Sequence, residues 1–383
     1  MKFMHIADLH IGKQLYHYNM KEEQKDILNK IISLAEKEAV DGVLIAGDIY
    51  DKSVPSAESV AVFDEFLSAL NQLDCAVFLV AGNHDSAERI DYASSILAHH
   101  RVHIAGVPPR NEGEYLHHVM LEDAYGPLCV YLLPFVKPLY VRNLCKGQEN
   151  ISHEQAVQLI IDREDIDTSI RNVIVAHQFF TAGGTEPEKG DSELLMMGGI
   201  DKVDVSVLDA FDYGAFGHIH RAQRIGADYL RYAGTPLAYS VKEADAAKSV
   251  TIVELRAKGS TPIIRQLPLE PLHRIRVLRG TMEEVLSQAS DYEEDYVSIT
   301  LTDEKDPYKP KERLEAVYKR ILTIQVDNSR TRQILSMESE VLEDADPLEV
   351  FESFYREVQG QDMNEAEIAV LMNMLNRTIT TEE

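Results

Sequence analysis

The sequence predicts an α/β fold, and three observations carry that prediction. Short apolar runs alternate with longer stretches of helical period through the first half of the chain. Asp, Asn and His residues follow directly on several of those runs, at the strand ends where open α/β sheets place their ligands. After residue 220 the helical period gives way to successive β-rich runs.

Taken in order, residues 2–7, 42–46, 76–81, 129–133, 172–176 and 213–216 read as strands, and 21–39, 56–71, 86–98 and 153–165 as helices. In 56–71 the stripe Ala57, Val60, Phe63, Phe66, Leu67 and Leu70 reads first as a core face, because an amphipathic helix normally turns its apolar side inward. Residues 222–226, 229–233, 249–255 and 262–267 form a second set of strands, with a turn at Gly234-Thr235-Pro236. Composition breaks at Leu267–His273, where Leu-Pro-Leu-Glu-Pro-Leu interrupts both periods. Beyond the break, 274–278, 281–289, 296–302, 310–322 and 324–327 read β-α-β-α-β, a compact accessory unit. Asp346-Pro347 then opens a helical tail with Leu348, Phe351, Phe354 and Tyr355 on an apolar stripe. The expected organisation is therefore a main domain over 1–270, a small domain over 271–337 and an acidic helical tail over 338–383.

Composition excludes several classes. No apolar run approaches the roughly 20 residues that span a bilayer, so no membrane association is expected. Cys75, Cys129 and Cys145 are odd in number and widely spaced, which fits neither a disulfide framework nor a zinc site and points to a reducing cytoplasm. The net charge of -26 does not advertise a basic nucleic-acid face. Much of that charge lies late in the chain, however: between Glu338 and Glu367 there are 11 acidic residues against the single Arg356.

The chemistry-bearing residues form five short motifs in order: Asp8-Leu9-His10, Gly47-Asp48, Gly82-Asn83-His84-Asp85, His177, and Gly217-His218-Ile219-His220. Asp, Asn and His bind hard to borderline divalent cations through carboxylate, carbonyl and imidazole. Each fragment alone is a strand end or a turn, and Gly, Asn and Asp favour turns for their own reasons. Five in this order, each after an apolar run, point to a metal site. Two cations about 3.5–4 Å apart clamp the attacking and leaving oxygens of a phosphoryl displacement. That arrangement needs a bridging carboxylate, and Asp48 is the natural candidate.

The motif order resembles the calcineurin-like metallophosphoesterases. The resemblance implies a two-sheet α/β sandwich flanked by helices, here with a small α+β capping domain and a C-terminal helical tail. It implies one cation on Asp8, His10, Asp48 and His220, and a second on Asp48, Asn83, His177 and His218. The mixed nitrogen and oxygen donors favour two Mn²⁺, with Fe, Zn or Mg²⁺ as substitutes. His84 is expected to donate a proton to the leaving oxygen, Asp85 to orient the His84 imidazole, and Asp51 to stand just behind the metal ligands or near substrate.

Within that superfamily the chain is similar to the SbcD family of bacterial nuclease subunits. The residues that carry this are 6–12, 46–51, 80–86 and 213–221, with Ser192-Glu193, Gly198-Gly199 and Tyr232-Ala233-Gly234-Thr235-Pro236 in support. Thr235 stands where the family often has Ser. The family implies an enzyme, a Mn²⁺-dependent exonuclease and endonuclease that cuts DNA double-strand ends and hairpins in recombination, replication and repair. It implies a homodimer through 56–71 and 86–98, with Phe63, Phe66, Ile90, Ala93 and Leu97 at the contact. It also implies docking of the tail, through Leu348, Phe351, Phe354 and Tyr355, on the coiled coil of an SbcC-like ATPase. The alternatives are a phosphoesterase acting on small nucleotides or phosphoproteins, and a non-enzymatic scaffold on the same fold.

Overall fold

The structure, a computed structural model, describes residues 1–145, 151–190 and 201–332, and then 348, 351–352, 355–356, 361–364, 367–368 and 371–372. The chain divides into two compact units: Met1–Val277 with Glu294–Val297, and Leu278–Glu293 with Ser298–Glu383.

The first unit contains two six-stranded mixed sheets. In one, the order is Ile263–Pro268, Ser249–Glu254, Lys2–Ile6, Gly42–Ala46, Ala76–Val80, Val102–Ala105. The four strands from Lys2–Ile6 onward are mutually parallel, and the two late strands are antiparallel. In the other, the order is Gln223–Ile225, Ala227–Tyr232, Tyr213–Gly217, Arg171–His177, Gly126–Leu133, His117–Asp123, parallel at the centre and antiparallel at both edges. The sheets face each other across one core. Phe3, Leu44, Phe78 and Val80 come from the first sheet, and Leu128, Val130, Val173, Val175 and Ala215 from the second. Both faces of the central strands are buried, so their sequences are near-continuously apolar rather than alternating. The two-sheet α/β sandwich expected from the sequence is the observed fold.

Helix α1, Lys21–Glu38, buries Glu23, Gln24, Ile27, Leu28, Ile31 and Ala35 along one face and stops where Ala39 turns left-handed at φ 49°. Helix α2, Ala57–Gln72, is capped by the Ser56 hydroxyl, which accepts the Ser59 N–H. Its Phe63 and Phe66 are 8% and 2% exposed. These two rings are core, not the contact surface that the dimer expectation requires of them.

The helix expected over 86–98 is two short ones, Ala87–Ile90 and Ser94–Ala98, separated by Ala93 at φ 61°. Asp91 closes the first of them, its N–H donating to the Ala87 carbonyl at 3.0 Å while its carboxylate accepts the Gly106 N–H at 3.1 Å. Strands Ile275–Gly280, Tyr296–Leu301 and Arg320–Val326 form a three-stranded sheet in that order. The helix expected over 310–322 ends at Glu315, because sheet pairing claims the chain from Arg320.

In the tail, Phe351 is 42% exposed and Leu371 is buried. The Tyr355 hydroxyl donates to the Glu367 carboxylate at 2.9 Å. Phe354, the segment 338–347, Ser192-Glu193 and Gly198-Gly199 lie outside the described residues.

Candidate metal centre

The motif residues lie at the carboxyl ends of the parallel strands. Asp8 and His10 follow Lys2–Ile6, Asp48 follows Gly42–Ala46, Asn83 and His84 follow Ala76–Val80, His177 ends Arg171–His177, and His218 and His220 follow Tyr213–Gly217. The two sheets present these ends to one another, and all seven predicted ligands converge.

The glycines in the motifs are a consequence of that approach. A Cβ on Gly82 would lie 2.1 Å from Asp48 Oδ1, and one on Gly217 would lie 1.9 Å from the Ala46 carbonyl oxygen. Asp8, His10, Asp48 and His218 are themselves left-handed, at φ 54°, 44°, 50° and 98°. Such conformations cost on the order of 1–3 kcal/mol each and gather where function requires them. They are held by hydrogen bonds from neighbouring strand ends: Asp8 N–H to Gly47 O at 3.0 Å, His10 N–H to Asp48 O at 3.0 Å, and Ile11 N–H to Ile49 O at 2.9 Å.

The ring nitrogens define the centre. His10 Nε2 and His220 Nε2 are 3.1 Å apart, so at most one of the two carries a proton. His177 Nδ1 donates to the Ala46 carbonyl at 2.8 Å, which turns Nε2 inward, 2.9 Å from Asn83 Oδ1 and 3.5 Å from Asp48 Oδ2. His218 Nδ1 lies 2.9 Å from the same Asn83 oxygen, and its backbone N–H donates to Asp8 at 2.9 Å. Three groups have ligand atoms within 4.8 Å of one another: Asp8, His10 and His220; His10, Asp48 and His84; and Asp8, Asp48 and His177. Among the described residues, buried His10 Nδ1 and His218 Nε2 have no hydrogen-bond partner.

The electrostatics suit a divalent cation. Burial pushes the His10 and His218 imidazoles down to about 3 and holds His220 well below its ordinary value. These rings are neutral, the form that ligates. Burial also pushes His177 down, but the Asp48 and Asp8 carboxylates and the Ala46 carbonyl outweigh it and raise this ring to about 9. Burial works against the charge of Asp48, yet His177, His10 and His84 hold its carboxyl below the usual range. Buried imidazole, carboxylate and amide oxygen in one cluster make a donor set that fits Mn, Fe or Zn.

The role expected of Asp85 is not the one observed. Its carboxylate accepts three backbone N–H groups, from Gly82, Ile49 and Tyr50, at 2.9 to 3.1 Å. Burial and the nearby Asp48 charge raise it to about 6. Asp85 thus ties together the Asp48 and Asn83 loops. The His84 imidazole is oriented instead by the Asp51 carbonyl, 2.9 Å from Nδ1, while the Asp51 carboxylate pairs with Lys13 at 2.7 Å. His84 Nε2 faces Asp48 at 3.9 Å.

Sequence reading passes over the residues behind the His10 loop. The buried Gln24 amide accepts Gly12 N–H at 3.0 Å and donates to the His10 carbonyl at 2.8 Å and to the Tyr239 hydroxyl at 3.2 Å. Tyr239 in turn donates to the Leu9 carbonyl at 2.6 Å. The available signal is a polar residue on the apolar face of α1.

With this geometry in view, the family comparison gives the class. The calcineurin-like phosphoesterase family model matches residues 1–222, and the chain belongs to that family: it is a metal-dependent hydrolase. A second family model, SbcD_C, the type 5 capsule protein repressor C-terminal domain, matches residues 269–359. Among full-length relatives, the SbcD component of the SbcCD nuclease of Staphylococcus epidermidis is 26% identical over 398 aligned residues, covering 100% of both chains. That of Staphylococcus saprophyticus is 26% identical over 368 residues, covering 95% of this chain and 94% of the relative. A solved dimetal phosphatase from Danio rerio aligns with a TM-score of 0.42 and 15% identity, over 70% of this chain and 98% of its own. Among the described residues no helix is long and apolar enough to cross a membrane.

Proposed function

We propose that this chain is the nuclease component of an SbcCD-like complex and hydrolyses DNA phosphodiesters at double-strand ends and hairpins, acting in recombination, replication and repair in the cytoplasm. One observation carries the reading: Asp8, His10, Asp48, Asn83, His177, His218 and His220 converge at the mouth between two sheets, all but Asn83 buried, with the His10, His218 and His220 rings held neutral beside the carboxylates. In this reading Asp8, His10, Asp48 and His220 hold one Mn²⁺, and Asp48, Asn83, His177 and His218 hold the second, with Asp48 shared. When bound, such a pair supplies Lewis acidity to phosphoryl oxygens and activates water.

The chain's own groups do the rest. His84, with its Nδ1–H on the Asp51 carbonyl, would give a proton to the leaving oxygen from Nε2 when the ring is the imidazolium, which carries a proton on both nitrogens. Asp85 fixes the loops that carry Asp48 and Asn83. The full-length similarity to SbcD nuclease components favours DNA over small nucleotides or phosphoproteins. Within the same proposal the tail docks on the coiled coil of an SbcC-like ATPase through Leu348, Phe351, Phe354 and Tyr355. The α2 stripe is core at Phe63, Phe66 and Leu70 but exposed at Ala57 and Val60, and the homodimer would use that exposed end together with Tyr92 and Ile96.

The test is metal analysis with hairpin cleavage. The wild type under saturating Mn²⁺ should hold two ions and open a DNA hairpin, and Asp48→Ala should lose both ions and the activity. A wild type holding one ion, or leaving the hairpin intact with and without the ATPase, overturns the reading. Deleting residues 346–383 should leave a metal-loaded chain that no longer co-purifies with the ATPase, and unchanged affinity would remove the docking role.

A further inference from the structure

The main chain of His220 is held from behind by a buried charge cluster that the proposed chemistry does not use. Its carbonyl accepts Thr235 N–H at 3.1 Å, the Thr235 hydroxyl at 3.4 Å and the Lys248 ammonium at 3.3 Å. Lys248 Nζ also donates to Thr235 Oγ1 and to Glu243 Oε2, each at 2.6 Å. The other Glu243 oxygen takes the Ser240 hydroxyl at 3.1 Å. The Lys248 and Glu243 side chains are only 8% and 7% exposed. Gly234, at φ 74°, lets the turn come this close, for a Cβ there would lie 2.9 Å from the His220 oxygen.

A buried ion pair is weak support for stability in itself, since apolar groups of similar volume often serve as well or better. What this pair does that apolar groups cannot is aim a donor at one carbonyl. Fixing that carbonyl fixes the backbone from which the His220 ring reaches His10 Nε2, at 3.1 Å. These hydrogen bonds of Lys248 and Thr235 lead to the His220 loop, on the side of the centre that carries Asp8 and His10.

We propose that Lys248, acting through Thr235 and held by Glu243, is a positioning residue for His220, and so sets the affinity of one cation of the pair and not the other. The proposal rests on the two-cation reading above and adds a selectivity that reading does not contain. It also gives the Thr235 hydroxyl a role that Ser fills and Val does not. Beside the cluster, a cavity of about 510 Å³ lined in part by His220, Thr235 and Lys248 lets water reach the carbonyl when a donor is removed. Loss of the clamp should therefore loosen the ligand rather than unfold the domain.

The experiment is calorimetric titration with Mn²⁺ of the full chain as wild type, Thr235→Ser, Thr235→Val, Lys248→Met and the double variant Lys248→Met/Glu243→Met. Groups that orient metal ligands typically contribute 10- to 100-fold to affinity. Thr235→Val and the double variant should weaken one ion by about 10- to 100-fold and leave the other at its wild-type Kd, with Thr235→Ser matching wild type. Turnover on a model phosphodiester should return as Mn²⁺ is raised, with kcat recovered. The double variant leaves no unpaired charge from this ion pair, so it decides the matter if Lys248→Met alone does not fold. Two wild-type dissociation constants in both Thr235→Val and the double variant, or equal weakening of both ions, overturns the proposal while the two-cation reading stands. A wild type that takes up one ion overturns both.

Discussion

Gln24→Leu isolates what holds the His10 loop. The substitution keeps the volume of the side chain on the buried face of α1 and removes its amide. Three hydrogen bonds disappear, to Gly12 N–H, the His10 carbonyl and the Tyr239 hydroxyl. The Tyr239 hydroxyl keeps its bond to the Leu9 carbonyl and the His10 carbonyl keeps the Lys13 N–H at 3.0 Å, so the backbone group that loses its partner is the Gly12 N–H. Leaving that group unpaired costs about 1–3 kcal/mol, a sizeable share of the roughly 5–15 kcal/mol of a whole domain. The strained backbone at Asp8 and His10 then has less to hold it, so Mn²⁺ affinity should fall as well. Urea unfolding with and without Mn²⁺ reads both effects. An unfolding free energy within about 0.5 kcal/mol of wild type, the range of an ordinary surface substitution, would show that the amide network does not support the loop.

His84→Ser should keep Mn²⁺ stoichiometry and lose about 10²- to 10⁴-fold in turnover, and near-wild-type cleavage of DNA would remove the proton-donor role. Phe66→Ala should cost about 3–5 kcal/mol in urea unfolding, because the ring is buried within the first unit; unchanged stability with a lost dimer would restore the contact-surface reading. His5 supplies a pH test. Burial first, then the charge of Arg231 against the opposing Phe216 carbonyl, holds its imidazole down to about 3. The unfolded ring takes up its proton near 6.5, so between these values the unfolded chain binds more protons and stability falls as pH falls. His5→Gln should flatten that fall between about pH 7.5 and 5.5 in chelator, measured as urea midpoints, and an unaltered slope would mean that the ring is not held neutral.

By itself the sequence determined the class of fold and which Asp, Asn and His residues gather at the strand ends. Strands buried on both faces leave near-continuous apolar runs, and their carboxyl ends leave Asp, Asn and His directly after them. The close approach of those ends leaves glycine at 82 and 217, because a Cβ would strike Asp48 or Ala46. Each of these marks is local, so each is legible along the chain. Tertiary structure decided what acts on those residues from a distance. Asp85 is adjacent to His84 in sequence, yet its oxygens are taken by backbone of its own loop at Gly82 and of the Asp48 loop, and the His84 ring is turned by the Asp51 carbonyl 33 positions away. The 86–98 segment has helical period, but the chain turns left-handed at Ala93 and the helix breaks in two, with the Asp91 carboxylate tied to the Gly106 N–H. Gln24, Tyr239 and Lys248 support ligand loops by single hydrogen bonds to backbone carbonyls. Such a bond asks only for a donor at the right point in space. It imposes no spacing on the sequence, and the 230 positions between Tyr239 and Leu9 carry no trace of it.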